Sequence, residues 1–372
     1  MRKFMLLFMI TFLLLQLFSL QSTEASSNDW NGTVTGNTYE QNNNLPSTFV
    51  KVTNSANVSN QDVNDFILKA QQIIKNEKQA QNPQISLFSQ KTLTPKEVYD
   101  YFYIDESDKD LYFYEDGSNP IAKIVDLDTT VVGNTYINQN SSNTYMQSLA
   151  ATSTISGGLG ARVIIPSSGS LLEARIHTDG NVKQLDNNKG TTYTYVGFTG
   201  NTEADAGLQY SPLRTDGSGV QAWKPYLKVG GGSPWSTDTM LKGYDAVQYK
   251  NGYIPGEDVQ VSFWKNYVHD NVSTTRLKLQ GTAKCTNYTC TNTTPTKLAV
   301  IMEKNGTGVS NISGYKILAT IADTSDSKAF GQLNTSINNI TVDGISQVPK
   351  ESARSSNSSM RVSSNSVTFN IR

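Results

Sequence analysis

The stretch that decides the fold begins Gly160-Ala161-Arg162-Val163-Ile164-Ile165, breaks at Pro166-Ser167-Ser168-Gly169, and resumes as Leu171-Leu172-Glu173-Ala174-Arg175-Ile176-His177. Two short runs of strand-forming residues parted by a proline, glycine and serine cluster read as strand, turn, strand. The same grammar continues to the C-terminus, with strands expected at about 161–165, 171–177, 191–198, 203–210, 220–229 and 259–268. Further ones fall near 275–279, 297–302, 315–321, 333–342 and 366–371. Turn clusters such as Asp186-Asn187-Asn188-Lys189-Gly190 and Pro255-Gly256 separate them. Many short strands with no intervening helix predict a mainly-β domain over 151–372, an antiparallel β-sandwich of jelly-roll or lectin-like type.

Upstream the pattern changes. Residues 134–156, rich in Asn, Ser and Thr, read as a linker closing a small α+β segment that starts near residue 59. In that segment Val63, Phe66, Ile67, Ala70, Ile73 and Ile74 recur at helical spacing, with Asn60 as the cap and Pro83 beyond the end. Thr94-Pro95-Lys96-Glu97 is a capping box that predicts a second, short helix. Leu111-Tyr112-Phe113-Tyr114 and Ile121-Ala122-Lys123-Ile124-Val125, joined across Asp116-Gly117, predict a strand pair. Residues 26–58 are a polar leader of flexible composition. Residues 1–25 have the make-up of a secretory signal peptide: Arg2 and Lys3, an apolar run from Phe4 to Leu20, then Thr23 and Ala25 before Ser26. An uncleaved anchor is the competing reading, because the run approaches spanning length.

Composition narrows the function. With 32 acidic against 31 basic residues, the chain lacks the positive footprint of nucleic-acid or anionic-membrane binding. The only cysteines, Cys285 and Cys290, suit a local disulfide in an oxidising compartment. With two histidines, the ligand sets of structural zinc are out of reach. Oxygen ligands for calcium exist in Glu203, Asp205 and Asp216, but without EF-hand spacing, so no cofactor is expected. His177, near Asp179, and His269, beside Asp270, make a Ser-His-Asp arrangement conceivable, yet no Gly-x-Ser-x-Gly elbow is present.

The candidate site lies in Glu203-Ala204-Asp205-Ala206-Gly207-Leu208-Gln209. On a strand Glu203, Asp205, Gly207 and Gln209 share one face, while Ala204, Ala206 and Leu208 suit a core. The stretch resembles the Glu-x-Asp-x-x-Glu strand of laminarinase-type glucanases, whose two glutamates are nucleophile and acid/base. Gly207 and Gln209 stand where a third acidic residue is needed, which argues against that hydrolysis. Trp223, Tyr226 and Trp235 are the expected sugar-stacking aromatics, with Tyr193, Tyr195, Trp264 and Tyr267 nearby. The polar row is expected to face water, with Gly207 leaving room above the sheet and Asp205→Ala changing stability by no more than about 0.5 kcal/mol.

The runs Gly160–Pro166, His177–Gly180, Gly190–Tyr195, Glu203–Asp205, Trp223–Pro225 and Thr275–Leu277, with Asn266, resemble the YrpD-like secreted proteins of bacilli over about residues 155–345. That resemblance implies a bacterial exported protein and supplies no catalytic residue. The function expected is that of a secreted, non-catalytic protein bound to polysaccharide or cell-wall glycan, with no membrane association after signal cleavage. The alternatives are a polysaccharide-cleaving enzyme using Glu203 and a structural surface or matrix protein.

Overall fold

A computed structural model describes residues 48–52, 60–80, 98–106, 110–115, 121–125, 158–200, 202–211, 221–230, 235–236, 250, 252–269, 271–285, 294–322 and 328–372. The signal peptide, most of the leader, the Thr94 capping box and the 134–156 linker lie outside the described residues. Strand β1 (Thr48–Val52) and helix α1 (Asn60–Ala80) precede β2 (Asp100–Glu106), β3 (Asp110–Glu115) and β4 (Ile121–Val125). Next come β5 (Gly158–Ile165), β6 (Leu171–His177), the short helix α2 (Val182–Asp186), β7 (Thr191–Thr199), β8 (Ala204–Ser211), β9 (Ala222–Val229) and β10 (Trp235–Ser236). The chain continues through β11 (Gly252–Tyr253), β12 (Asp258–His269), β13 (Val272–Lys284), β14 (Thr296–Asn305), β15 (Gly314–Ala322) and β16 (Leu333–Val342). It ends in β17 (Ile345–Ser346), β18 (Lys350–Arg354), β19 (Ser358–Ser363) and β20 (Ser366–Ile371).

Side-chain alternation builds the core. Leu172, Ala174 and Ile176 of β6, Val259, Val261 and Phe263 of β12, and Val367, Phe369 and Ile371 of β20 all turn to one dry interior. Their strand neighbours of opposite parity face outward, as a half-buried sheet requires. Phe198 of β7 stacks on Phe263 of β12 with ring centroids 5.6 Å apart, so side chains from opposite walls meet in the middle.

The walls form one continuous sheet among the described residues. One run of neighbours is β18, β5, β15, β7, β8 and β9, all antiparallel. Tyr253 of β11 pairs with Trp223 of β9 on one side and Ala283 of β13 on the other, carrying the ladder around a corner. From β13 the order runs β12, β6, β16, β20 and β19. The turn between β18 and β19 then brings the ends together. Ser355 N–H and Ser358 Oγ–H both donate to the Gly160 carbonyl, each at 2.8 Å, and Gly160 N–H donates to Ser355 Oγ at 3.0 Å. The result is nearly closed and barrel-like, where the sequence predicted a two-sheet sandwich. The two-residue β11 and the serine-rich seam, β18 and β19, carry too little strand signal to announce that closure.

The N-terminal segment adds to this sheet. Strand β2 lies parallel to β14, from Asp100 against Leu298 to Glu106 against Lys304, and β3, β4 and β1 follow it outward. Phe66, Ile67, Ala70, Ile73 and Ile74 of α1, the stripe expected from the sequence, pack on Tyr101, Tyr103 and Phe113 together with Ala299 and Ile301 of β14. Leu185 of α2 is buried in the main core, and Asp186 just after it takes hydrogen bonds from Tyr210 (2.9 Å) and Gln221.

Burial is the largest cause raising the hydroxyl pKa of Tyr103, Tyr210, Tyr226, Tyr253 and Tyr315 above the ordinary tyrosine value. The folded chain keeps protons that the unfolded chain releases above pH about 10. Stability from these groups is therefore complete below that pH and lost as pH rises toward the folded values, by about 1.4 kcal/mol per pH unit for each proton retained. Phenolate absorbance should show these tyrosines ionising only with unfolding. Their titration near pH ~10 with circular dichroism unchanged contradicts the burial described.

Candidate functional site

Strand β8 presents Ala204, Ala206, Leu208 and Tyr210 to the core. Its other face carries Asp205, Gly207 and Gln209, with Glu203 just before the strand. Register places Gly197 and Lys228 beside Asp205, Tyr195 and Tyr226 beside Gly207, and Tyr193 and Lys224 beside Gln209. One strand further, Lys316 of β15 lies opposite Gly197. Its ammonium reaches across that glycine to Glu203 Oε1 at 3.0 Å and Asp205 Oδ1 at 2.9 Å.

Gly197 makes the crossing possible. A Cβ there would sit 2.9 Å from Lys316 Cε, 3.0 Å from Asp205 Oδ1 and 2.2 Å from the Ala204 carbonyl oxygen. Lys316 is only 7% exposed. Burial works against its charge, but Asp205 and Glu203, by attraction and hydrogen bonding, more than offset it and its pKa rises. The lysine stays protonated between its two carboxylates.

Gly207 has a different role from the one expected. A Cβ on it would come within 2.6 Å of Tyr195 Cα and 2.7 Å of the Thr194 carbonyl oxygen. The glycine admits the close approach of β7, not a ligand. Around it the rings of Tyr193 and Tyr226 lie 5.1 Å apart, Tyr195 and Tyr226 6.4 Å, and Tyr193 and Tyr195 6.3 Å. Tyr193 and Tyr226 are nearly buried, whereas Tyr195 and Gln209 are partly open. Burial, with Tyr193 and Asp205 nearby, raises the Tyr226 pKa, so its hydroxyl remains a donor at neutral pH.

Other expected site residues are dispersed. Trp223 has no exposed surface and packs against Tyr210 at 5.3 Å, on the core side of β9, where no ligand reaches it. Its strand parity with Leu227 and Val229, opposite to Lys224 and Lys228, was the signal for that. Trp235 lies on β10 against Leu227, its side chain outside the described residues. Trp264 and Tyr267 lie on β12, away from β8, and approach the buried Arg276 guanidinium at 5.2 and 4.1 Å. Cys285 is buried just after β13, and Cys290 lies outside the described residues. The residues that sequence reasoning missed are Lys316, Gly197 and Lys228; only pairing across β15, β7, β8 and β9 reveals them.

His177 meets Asp258, not Asp179, with Nδ1 to Oδ1 at 2.7 Å. Asp179 is buried and accepts from the Asn181 and Asn334 amides. Ser336, half-buried, sits opposite His177 on β16, so serine, histidine and aspartate share a row across three strands. Among the described residues no three His, Cys, Asp or Glu side chains gather as a metal site, and no helix is long and apolar enough to cross a membrane.

These features define a mainly antiparallel β protein with one apolar interior and a polar outer wall holding a charged triad beside clustered tyrosines. The chain belongs to the YrpD family, described as a domain of unknown function, which matches residues 152–371. The match extends past the expected 345 and takes in β18 to β20. Over 231 residues, 59% of this chain and 84% of the relative, it is 32% identical to "Uncharacterized protein YrpD" of Bacillus subtilis (strain 168). Among solved structures, scytalido-glutamic peptidase with a transition state analog inhibitor aligns with 59% of this chain and all of its own, at TM-score 0.34 and 12% identity. So loose a correspondence carries no chemistry across.

Lys316 changes the expectation for Asp205. Removing that carboxylate leaves a buried ammonium with one partner, so Asp205→Ala should cost about 1–3 kcal/mol instead of the ~0.5 of an open position. Urea unfolding measures it. A loss within ~0.5 kcal/mol means that water screens the triad.

Proposed function

We propose that this is an exported, non-catalytic protein of the bacterial surface that holds glycan against the outer wall of β7, β8 and β9. The observation that carries this reading is the tyrosine cluster on the polar side of the sheet. Tyr195 supplies a partly open ring beside Tyr226, and Gln209 and Lys228 supply hydrogen-bonding groups on the same side. Aromatic faces with adjacent amide and charged groups suit sugar rings and hydroxyls. Against cleavage stands Lys316, whose ammonium fills the gap between Glu203 and Asp205 that a scissile oxygen or water needs. Export is supported by the composition of residues 1–25. In the exported chain Cys285 and Cys290 form one local disulfide, visible as a mass change on reduction.

Burial of Tyr193 and Tyr226 favours a second reading, a structural surface protein in which the cluster only braces the wall. A glycan array and pull-down on purified cell-wall polymers separate the two. The glycan reading predicts binding that weakens at least about tenfold in Tyr195→Ala, the scale of one lost stacking contact, with unfolding unchanged. Absence of binding to every polymer selects the structural reading. Reducing sugar released by the native chain and lost in Glu203→Gln overturns the non-catalytic one.

A further inference from the structure

Strand β14 lies inside the family-matched segment, yet its two edges have different owners. One edge pairs with β13 of the same segment and the other with β2, which lies outside it. Residues 152–371 taken alone therefore end in an open strand edge, a template for another strand.

The vacancy would have depth as well as an edge. Phe102 and Ile104 of β2 enter the main core beside Val300 and Met302, while Tyr101 and Tyr103 cover Ala299 and Ile301 on the other side. Polar groups of the matched segment also find partners there. Asn305 Nδ2 donates to Asp105 Oδ1 and Thr296 Oγ1 to Asp100 Oδ2, both at 2.8 Å. Glu303, fully buried, accepts from Tyr103 OH at 3.1 Å. Glu77 of α1 takes Arg276 at 2.5 Å and also Lys278, clamping the inserted unit from outside. Alternate side chains in two sets of pockets, on a main-chain ladder, is the physics of strand donation.

We propose that β2 is an exchangeable donor strand and that the β14 edge is an acceptor site for β2 of a second copy of this chain. Exchange keeps every contact just described, because donor and acceptor are the same in cis and in trans. The donor unit and acceptor domain are joined through residues 126–157, whose contour at ~3.3–3.6 Å per residue is on the order of 100 Å. That exceeds several times the roughly 17 Å radius of gyration of a domain the size of residues 152–371. Topology therefore permits a neighbour's β14 to be reached. The cis form competes at an effective concentration on the order of millimolar, set by the length of the joining chain, so exchange becomes extensive only in concentrated chains that have opened and refolded. The partner is thus a second copy, and the product is a strand-exchanged dimer or chain. The idea does not depend on any glycan site.

Glu106 and Lys304 are register partners at the end of the β2–β14 ladder and allow a direct test. Glu106→Cys and Lys304→Cys are made as separate full-length proteins, mixed, unfolded together, refolded at high concentration and oxidised. A covalent heterodimer is expected, mapped by peptide mass to positions 106 and 304, and absent when the two folded proteins are mixed without unfolding. The double variant, refolded dilute, should form the same bond within one chain. If it does so while the concentrated mixture of single variants yields no heterodimer, exchange is refuted. If the dilute double variant fails to bond, the β2–β14 pairing itself is wrong and the proposal falls with it.

Discussion

A single dry face governs this molecule. From β5 to β20 successive strands place one parity of side chains in a common interior, and a sheet with such a face must curl or be covered. Here it curls. Tyr253 carries the ladder from β9 to β13 and donates its hydroxyl to the Leu279 carbonyl at 3.0 Å, fixing the corner from inside. The serine seam on Gly160 draws β18 and β19 together at the other side. Sheet edges that stay open invite association, so near-closure also limits exposure of unpaired backbone.

Charge follows from the same constraint. An interior this apolar leaves ionised groups only the outer wall, and where that wall is itself covered they must be paired. Lys316 with Glu203 and Asp205 is one such arrangement; Arg276 with Glu77 and Glu303, beside the rings of Trp264 and Tyr267, is another. Both are built across strands and both bury a cation. The resemblance of β8 to a glucanase strand thus acquires a structural explanation: its carboxylates hold a lysine. A ligand on this face has to be recognised by the groups that remain open beside the triad, principally Tyr195, Gln209 and Lys228.

Strands β5 to β9, β12 to β16 and β20 were legible because valine, isoleucine and tyrosine runs alternate with glycine, proline and asparagine turns. The α1 stripe was legible from helical spacing, and the orientation of β8 from the alanines and leucine between its polar residues. Closure was not, since Gly252-Tyr253 is too short to register and Lys350–Arg354 and Ser358–Ser363 hold few strand-favouring residues. The triad was invisible for another reason: Lys316 reaches Asp205 through strand order, which no local window contains. Trp223 was misassigned although its parity with Leu227 and Val229 pointed inward. The part played by β2, a parallel partner for a strand far along the chain, likewise depends on topology alone.

The central claim is that β2 and the family-matched strands enclose one cooperative core. Native-state hydrogen exchange read strand by strand tests it most directly. Amides of β2 and β14 that pair with each other should exchange only through global unfolding, with the same opening free energy as those between β5 and β15. If β2 exchanges through a separate low-energy opening while β5 and β15 stay protected, the N-terminal segment is an appendage and the single-core account is wrong.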